Sequence, residues 1–411
     1  MWNILKTNSE RRVVITGLGV ISSLGIGWKE FWKNLMAGKS GISRIASFDT
    51  SKFDRYSGGE VKNFDPAQFF SKHKISRLGR ASQMAIAASK LALEDAKLEP
   101  DELKQKKVGV SMGTTGGEIQ LLERFHDQRS CDVSSIYNNF IPFFPSNSIS
   151  ANIALEFDFA TQNSVLATAC ASGNYALGQA FDLIKRKNVD YVIAGGADAF
   201  SRIYFMGFQT LSAVAPEKCQ PFDKNRQGMI PGEGAGVLVL ETLESAQKRG
   251  AYIYAEILGY GLSCDASDMA EPDPEGIVTA IQKSLQNSRV NIDQIDYISA
   301  HGTGTVENDL AECQAYHAVF GKRTKGIPIS SIKSMLGHTM GAASAFETIA
   351  CCLAIKDSLV PPTINLEEQD CKCDIDCVPH QGRSHEVRMA LNNSQAFGGN
   401  NACLILCLWE K

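Results

Sequence analysis

The sequence predicts a layered α/β fold made of two similar α/β halves, residues 1–250 and 251–411. Two observations carry that expectation. Short apolar, β-prone runs alternate with helical patterns along the whole chain, the rhythm of a layered α/β protein. A similar string of elements is met twice, with no fixed-period repeat and no low-complexity linker between its two occurrences. A chain of 411 residues is also too long for one small core.

In the first half, Arg12 to Gly19 reads as a buried strand closing on a glycine turn. Its glycines invite a dinucleotide site, but Ser22 stands where the third glycine of that motif belongs, so that reading is set aside. Lys29 to Ala37 is helical, Thr50 to Phe70 is a polar excursion, and Arg80 to Ala96 has the pattern of an amphipathic helix. Val108 to Met112, Val165 to Ala167, Tyr191 to Gly195 and Ala235 to Leu240 read as strands. Helical patterns start at Glu118 and span Ser146 to Leu155 and Asn174 to Lys185. In the second half, strands are expected at Tyr254 to Leu262, Tyr297 to Ala300, Ile327 to Ser330, Arg388 to Leu391 and Ala402 to Leu406. Helices are expected at Gly276 to Asn287, Leu310 to Phe320 and Gly341 to Ile355.

Composition narrows the function. With 44% hydrophobic and 21% charged residues, neither a disordered nor a fibrous chain is expected. A net charge of -4 argues against a general nucleic-acid binder. No run reaches the ~18–20 apolar residues of a membrane span, and the polar start resembles no signal peptide, so a cytoplasmic protein with reduced thiols is expected. Cys371, Cys373 and Cys377 lack a second ligand pair at zinc-site spacing, so no metal site is expected.

Chemistry concentrates at four places. At Cys170 an apolar strand meets a small-residue helix, and the helix N-terminus would favour thiolate over thiol; the alternative is a buried packing cysteine. His301 opens H-G-T-G-T, and His338 closes K-S-M-L-G-H after Lys333; each is either functional or a hydrogen-bonded structural residue. The stretch Asn393 to Asn401 holds Phe397-Gly398-Gly399, which permits positive φ and close approach of a ligand, or forms a plain hairpin turn.

T-A-C-A-S-G, H-G-T-G-T, K-S-M-L-G-H and A-F-G-G-N-N-A, in that order, closely resemble the β-ketoacyl-acyl-carrier-protein synthases of the elongating type. The resemblance covers nearly the whole chain, including Pro221 to Arg226 and Gly232 to Gly236. It implies a thiolase-like fold and no cofactor, with substrates carried on the phosphopantetheine of acyl carrier protein. By the same resemblance Cys170 holds the acyl chain, and the N–H groups of Cys170 and Phe397 form an oxyanion hole. His301 and His338 stabilise the enolate formed on decarboxylation of malonyl carrier protein. Lys333 supports the site with Asp309 and Glu312 as its network. Thr303 and Thr305 bind pantetheine, Phe397 gates the site and Phe208 lines the acyl pocket, while Thr115, where fatty-acid enzymes often carry a larger aliphatic residue, is expected to leave a wider or more polar tunnel. A basic rim of Lys72, Lys74, Arg77 and Arg80 is expected to dock the acidic carrier. A dimer is implied, either a homodimer or a heterodimer with a cysteine-free chain-length subunit. The chain departs from the family's usual turn at Gln395, Ala396 and Asn400, which leans toward type II polyketide or polyene metabolism rather than fatty-acid elongation. A thiolase, which would need a second active-site cysteine, finds no supporting motif around Cys403.

Overall fold

The computed structural model describes residues 11–70, 75–127, 140, 142–160 and 162–410. Among the described residues the main sheet has eleven strands, the short Gly25–Ile26 paired to β1 and ten in one path: β1 (Val13–Ser22), β2 (Val108–Gly113), β3 (Asn163–Leu166), β4 (Tyr191–Asp198), β5 (Gly234–Thr242), β6 (Ala255–Cys264), β7 (Tyr297–Ser299), β8 (Ile329–Ser330), β9 (Met389–Ala396) and β10 (Asn400–Cys407). Their spatial order is β8-β7-β9-β10-β6-β1-β5-β4-β2-β3. Divided at the β6–β1 contact, each half reads 3-2-4-5-1 in its own chain order. The directions match as well. β2 lies parallel to β3 and β4, with β5 antiparallel to β4 and β1. Likewise β7 lies parallel to β8 and β9, with β10 antiparallel to β9 and β6. The two halves meet where β1 and β6 pair over three residues.

The main helices are α1 (Trp28–Met36), α2 (Arg80–Asp95), α3 (Ile119–Asp127), α4 (Ser148–Phe157), α5 (Ser172–Lys185), α6 (Arg202–Thr210), α7 (Pro274–Ser288), α8 (Val306–Phe320) and α9 (Ala343–Asp357). Helices α5 and α9 pack on each other and against strands of both halves, forming a central layer around Leu177, Phe181, Phe346 and Ile349. Outside it, α2 covers the first half-sheet and α7 covers the second. This is the thiolase-like arrangement the resemblance implied.

Local sequence explains one departure from expectation. The pattern over Arg80 to Ala96 suggested one polar face, yet α2 buries ten of its residues, from Ala81 to Leu93. It is wedged between β1, β5 and α4, and its alanines and serines let all three approach. The glycines of β1 serve the same contact: a Cβ on Gly19 would stand 1.8 Å from the Ala88 carbonyl oxygen. They make room for a helix backbone, not for a phosphate.

Candidate active site

The thiol sits where β3 gives way to α5. The chain turns through Ala169 at φ 47°, a left-handed conformation that costs an L-residue about 1–2 kcal/mol. One 3-10 turn, Ala169–Ala171, then leads into α5. Ser172 fastens the bend: its Oγ accepts from the Thr168 N–H at 2.9 Å and lies 2.6 Å from the Ala169 oxygen. Cys170 is buried but reaches the wall of a cavity of about 440 Å³. The sequence led us to expect a depressed thiol pKa. Burial instead pushes the thiol up to about 12, against the pull of the Lys333 cation. Desolvation of the buried sulfur outweighs the nearby positive charge.

His301 follows β7, and His338 follows the short helix Lys333–Leu336. Both line the same cavity as Cys170, with ring centroids 5.4 Å apart in an edge-to-face arrangement. Burial, and then the neighbouring Lys333 charge, hold both imidazoles well below the usual histidine range, so they are neutral near pH 7. Their tautomers follow from their partners. The Met340 N–H donates to His338 Nδ1 at 3.2 Å, and Lys333 Nζ lies 3.3 Å from His301 Nδ1. Each Nδ1 therefore accepts, and the proton sits on Nε2. The cavity thus gains two neutral N–H donors.

Lys333 is fully buried. Its Nζ donates to the His301 carbonyl at 2.6 Å and is ion-paired with Glu347, a residue of α9. The expected partners, Asp309 and Glu312, act elsewhere. Glu312 accepts the N–H groups of His301 and Gly302 at 2.7 and 2.8 Å. Asp309 accepts from Phe222 and Gly304 and faces Arg226 at 3.6 Å. Both carboxylates lie on α8 and brace the loop that carries His301, Thr303 and Thr305. Neither bonds Lys333 directly; Glu312 and Lys333 meet at His301, whose N–H and carbonyl they hold.

The remaining expected residues fall into place unevenly. Thr303 and Thr305 line the cavity with their hydroxyls 2.8 Å apart. Phe208, on α6, and Phe397 line it as well, with ring centroids 5.9 Å apart. Gly398 and Gly399 form the β9–β10 turn at φ 84° and 73°; Gly399 lines the cavity and Gly398 donates to the Met269 oxygen. Thr115 does not line this cavity; its N–H is held by Asp198 at 2.7 Å. Lys72 and Lys74 lie outside the described residues, and Arg77 is exposed on a short turn. Arg80 is not a free rim cation: its guanidinium is held by both oxygens of buried Glu233, at 2.8 and 2.7 Å.

Two buried carboxylates escaped the sequence reading. Glu347 is a lone charge in a helix buried from Ala343 to Ile355, a pattern that itself asks for a buried cationic partner. Asp198, at the end of β4, accepts from Thr115, Gly116 and Gly341. It ties the turn after β2 to the turn after His338, and burial pushes it up to about 6.

Residues 10–246 match the family model described as Beta-ketoacyl synthase, N-terminal domain, and residues 254–367 match Beta-ketoacyl synthase, C-terminal domain. The chain belongs to the β-ketoacyl synthase family. This β-ketoacyl synthase is 40% identical over 407 residues to 3-oxoacyl-acyl-carrier-protein synthase 2 of Coxiella burnetii, covering 97% of this chain and 98% of that one. It is 39% identical over 408 residues to the protein of the same name in Synechocystis, covering 96% and 97%. Among solved structures it is similar to the ishigamide ketosynthase/chain length factor, with a TM-score of 0.94 and 43% identity over 98% of this chain and 100% of that one. It is also similar to a type II PKS ketosynthase solved with its acyl-carrier protein and bound to the hexaketide, with a TM-score of 0.89 and 32% identity over 98% and 100%. The enzyme is an acyltransferase of the 3-oxoacyl-acyl-carrier-protein synthase class. Among the described residues, no helix is long and apolar enough to cross a membrane.

Proposed function

We propose that this β-ketoacyl synthase performs a decarboxylative Claisen condensation in two half-reactions at the one cavity. In the first, the Cys170 sulfur attacks an acyl thioester on a carrier protein. The new C–S bond forms, the bond to the pantetheine sulfur breaks, and the thiol proton leaves on that sulfur, so the exchange consumes no net base. The backbone N–H groups of Cys170 and Phe397 hold the tetrahedral oxyanion. In the second, malonyl carrier protein loses carbon dioxide, and the released electron pair becomes an enolate. The Nε2–H groups of His301 and His338 hold its oxygen. The enolate carbon attacks the acyl carbonyl, the acyl–sulfur bond to Cys170 breaks, and the departing thiolate takes up a proton from solvent.

The observation that carries this reading is the convergence of Cys170, His301 and His338 on one cavity, with both histidines neutral and donating. Lys333 positions His301 through its carbonyl and Nδ1. Thr303 and Thr305 hold the pantetheine arm, and Phe397 against Phe208 closes the site behind it. The carrier docks on a rim that includes exposed Arg77. The halves divide at 250/251, and the enzyme works as a dimer, with itself or with a cysteine-free chain-length subunit.

For the pathway, we favour type II polyketide or polyene synthesis. The 43% identity to the ishigamide ketosynthase and the polar Gln395 in the cavity wall support it. Fatty-acid elongation by the same chemistry is the second reading, supported by the 40% identity to the Coxiella burnetii enzyme. Reconstitution with malonyl carrier protein and purified primers, followed by mass spectrometry of the carrier-bound products, tests both. Wild-type enzyme is expected to release carbon dioxide and lengthen the primer, and Cys170→Ala to give no condensation product. Condensation by the alanine variant would refute the reaction. Extension of saturated primers alone, with oxygenated or unsaturated primers left unused, would favour the fatty-acid reading.

A further inference from the structure

Gln395 is 3% exposed and lines the cavity that holds Cys170 and both histidines. Neither its Oε1 nor its Nε2 has a hydrogen-bond partner among the described residues. Its neighbours on β9 show which side it faces. Asn392 and Ser394 bond to Asn174, on the helix that begins beside Cys170. Asn393 donates instead to Glu312, the carboxylate that holds the His301 N–H. Side chains alternate along a strand, so Gln395 projects with Asn393 toward the His301 side.

A buried amide with donor and acceptor both unmet is costly, and the cost remains when a plain alkyl chain fills the cavity beside it. Methylenes offer it nothing, whereas an oxygen substituent does: a carbonyl accepts from Nε2, and a hydroxyl can also donate to Oε1. We propose that Gln395 is a specificity-determining residue that hydrogen-bonds an oxygen substituent on the acyl chain close to its thioester. This rests on the condensation proposed above. A carbonyl there comes from a preceding condensation with no reduction between, and a hydroxyl from that condensation followed by one reduction of the ketone.

The test compares primers of equal length on one carrier protein, saturated, 3-oxo and 3-hydroxy, each condensed with malonyl carrier protein. The wild-type kcat/KM is expected to favour an oxygenated primer by at least about tenfold, because a site built to hydrogen-bond an oxygen discriminates strongly against its absence. In Gln395→Leu the preference is expected to fall toward parity. Gln395→Met, closer in length, supplies the same readout if the leucine variant does not fold. An unchanged preference in the variants overturns the proposal. So does an equal fall for all primers with a raised KM for malonyl carrier protein, which would give the amide to the extender carboxylate. If the wild type condenses none of the three primers, the proposed reaction fails and the inference falls with it.

Discussion

Cys170 is a buried sulfur near the Lys333 ammonium group, and burial dominates: its thiol is pushed up to about 12. A thiol whose pKa is raised is protonated throughout the physiological range, so its thiolate fraction grows tenfold with each pH unit until that pKa is reached. The rate of Cys170 alkylation by iodoacetamide is therefore expected to climb between pH 7 and pH 10 without a plateau. A plateau below pH 8 would contradict the burial argument. In the sequence, small-residue and glycine frames mark Cys170, His301 and His338 as candidates, and the family resemblance gives each its expected role. The thiol's protonation state was not legible, because desolvation depends on everything that closes over the sulfur and not on the helix that follows it.

Among the elements, α9 carries more of the site than its composition suggested. It is buried from Ala343 to Ile355 and supplies one carboxylate, Glu347, to the one lysine beneath His301. Removing one partner of a buried pair leaves an uncompensated charge, typically at a cost of about 3–5 kcal/mol. Glu347→Gln is thus expected to lower the thermal midpoint by several degrees and to slow condensation by loosening His301. A midpoint within one degree of wild type would show that the pair holds nothing together. The sequence reading gives Lys333 the partners Asp309 and Glu312. Those two stand close to the H-G-T-G-T loop in the chain and brace it, whereas the true partner comes from a helix whose face is known only once the fold is formed.

At the scale of the molecule, two half-sheets of the same 3-2-4-5-1 order enclose the α5–α9 pair. The first half brings Cys170 to the cavity and the second brings His301 and His338. The alternation of strands and helices was readable because each element's period is local. Strand order was not, and neither was the role of Arg80, which reads as a charged helix start until Glu233, far along the chain, is brought against it. This division of labour between the halves is the centre of the account, and it separates the two half-reactions. Intact-protein mass spectrometry after incubation with acyl carrier protein tests it most directly, on wild type, Cys170→Ala, His301→Ala and His338→Ala. The acyl mass is expected on wild type and on both histidine variants, and none on Cys170→Ala, while the histidine variants lose about 10²–10³ in condensation rate. An acyl adduct on Cys170→Ala, or none on the histidine variants, would contradict it.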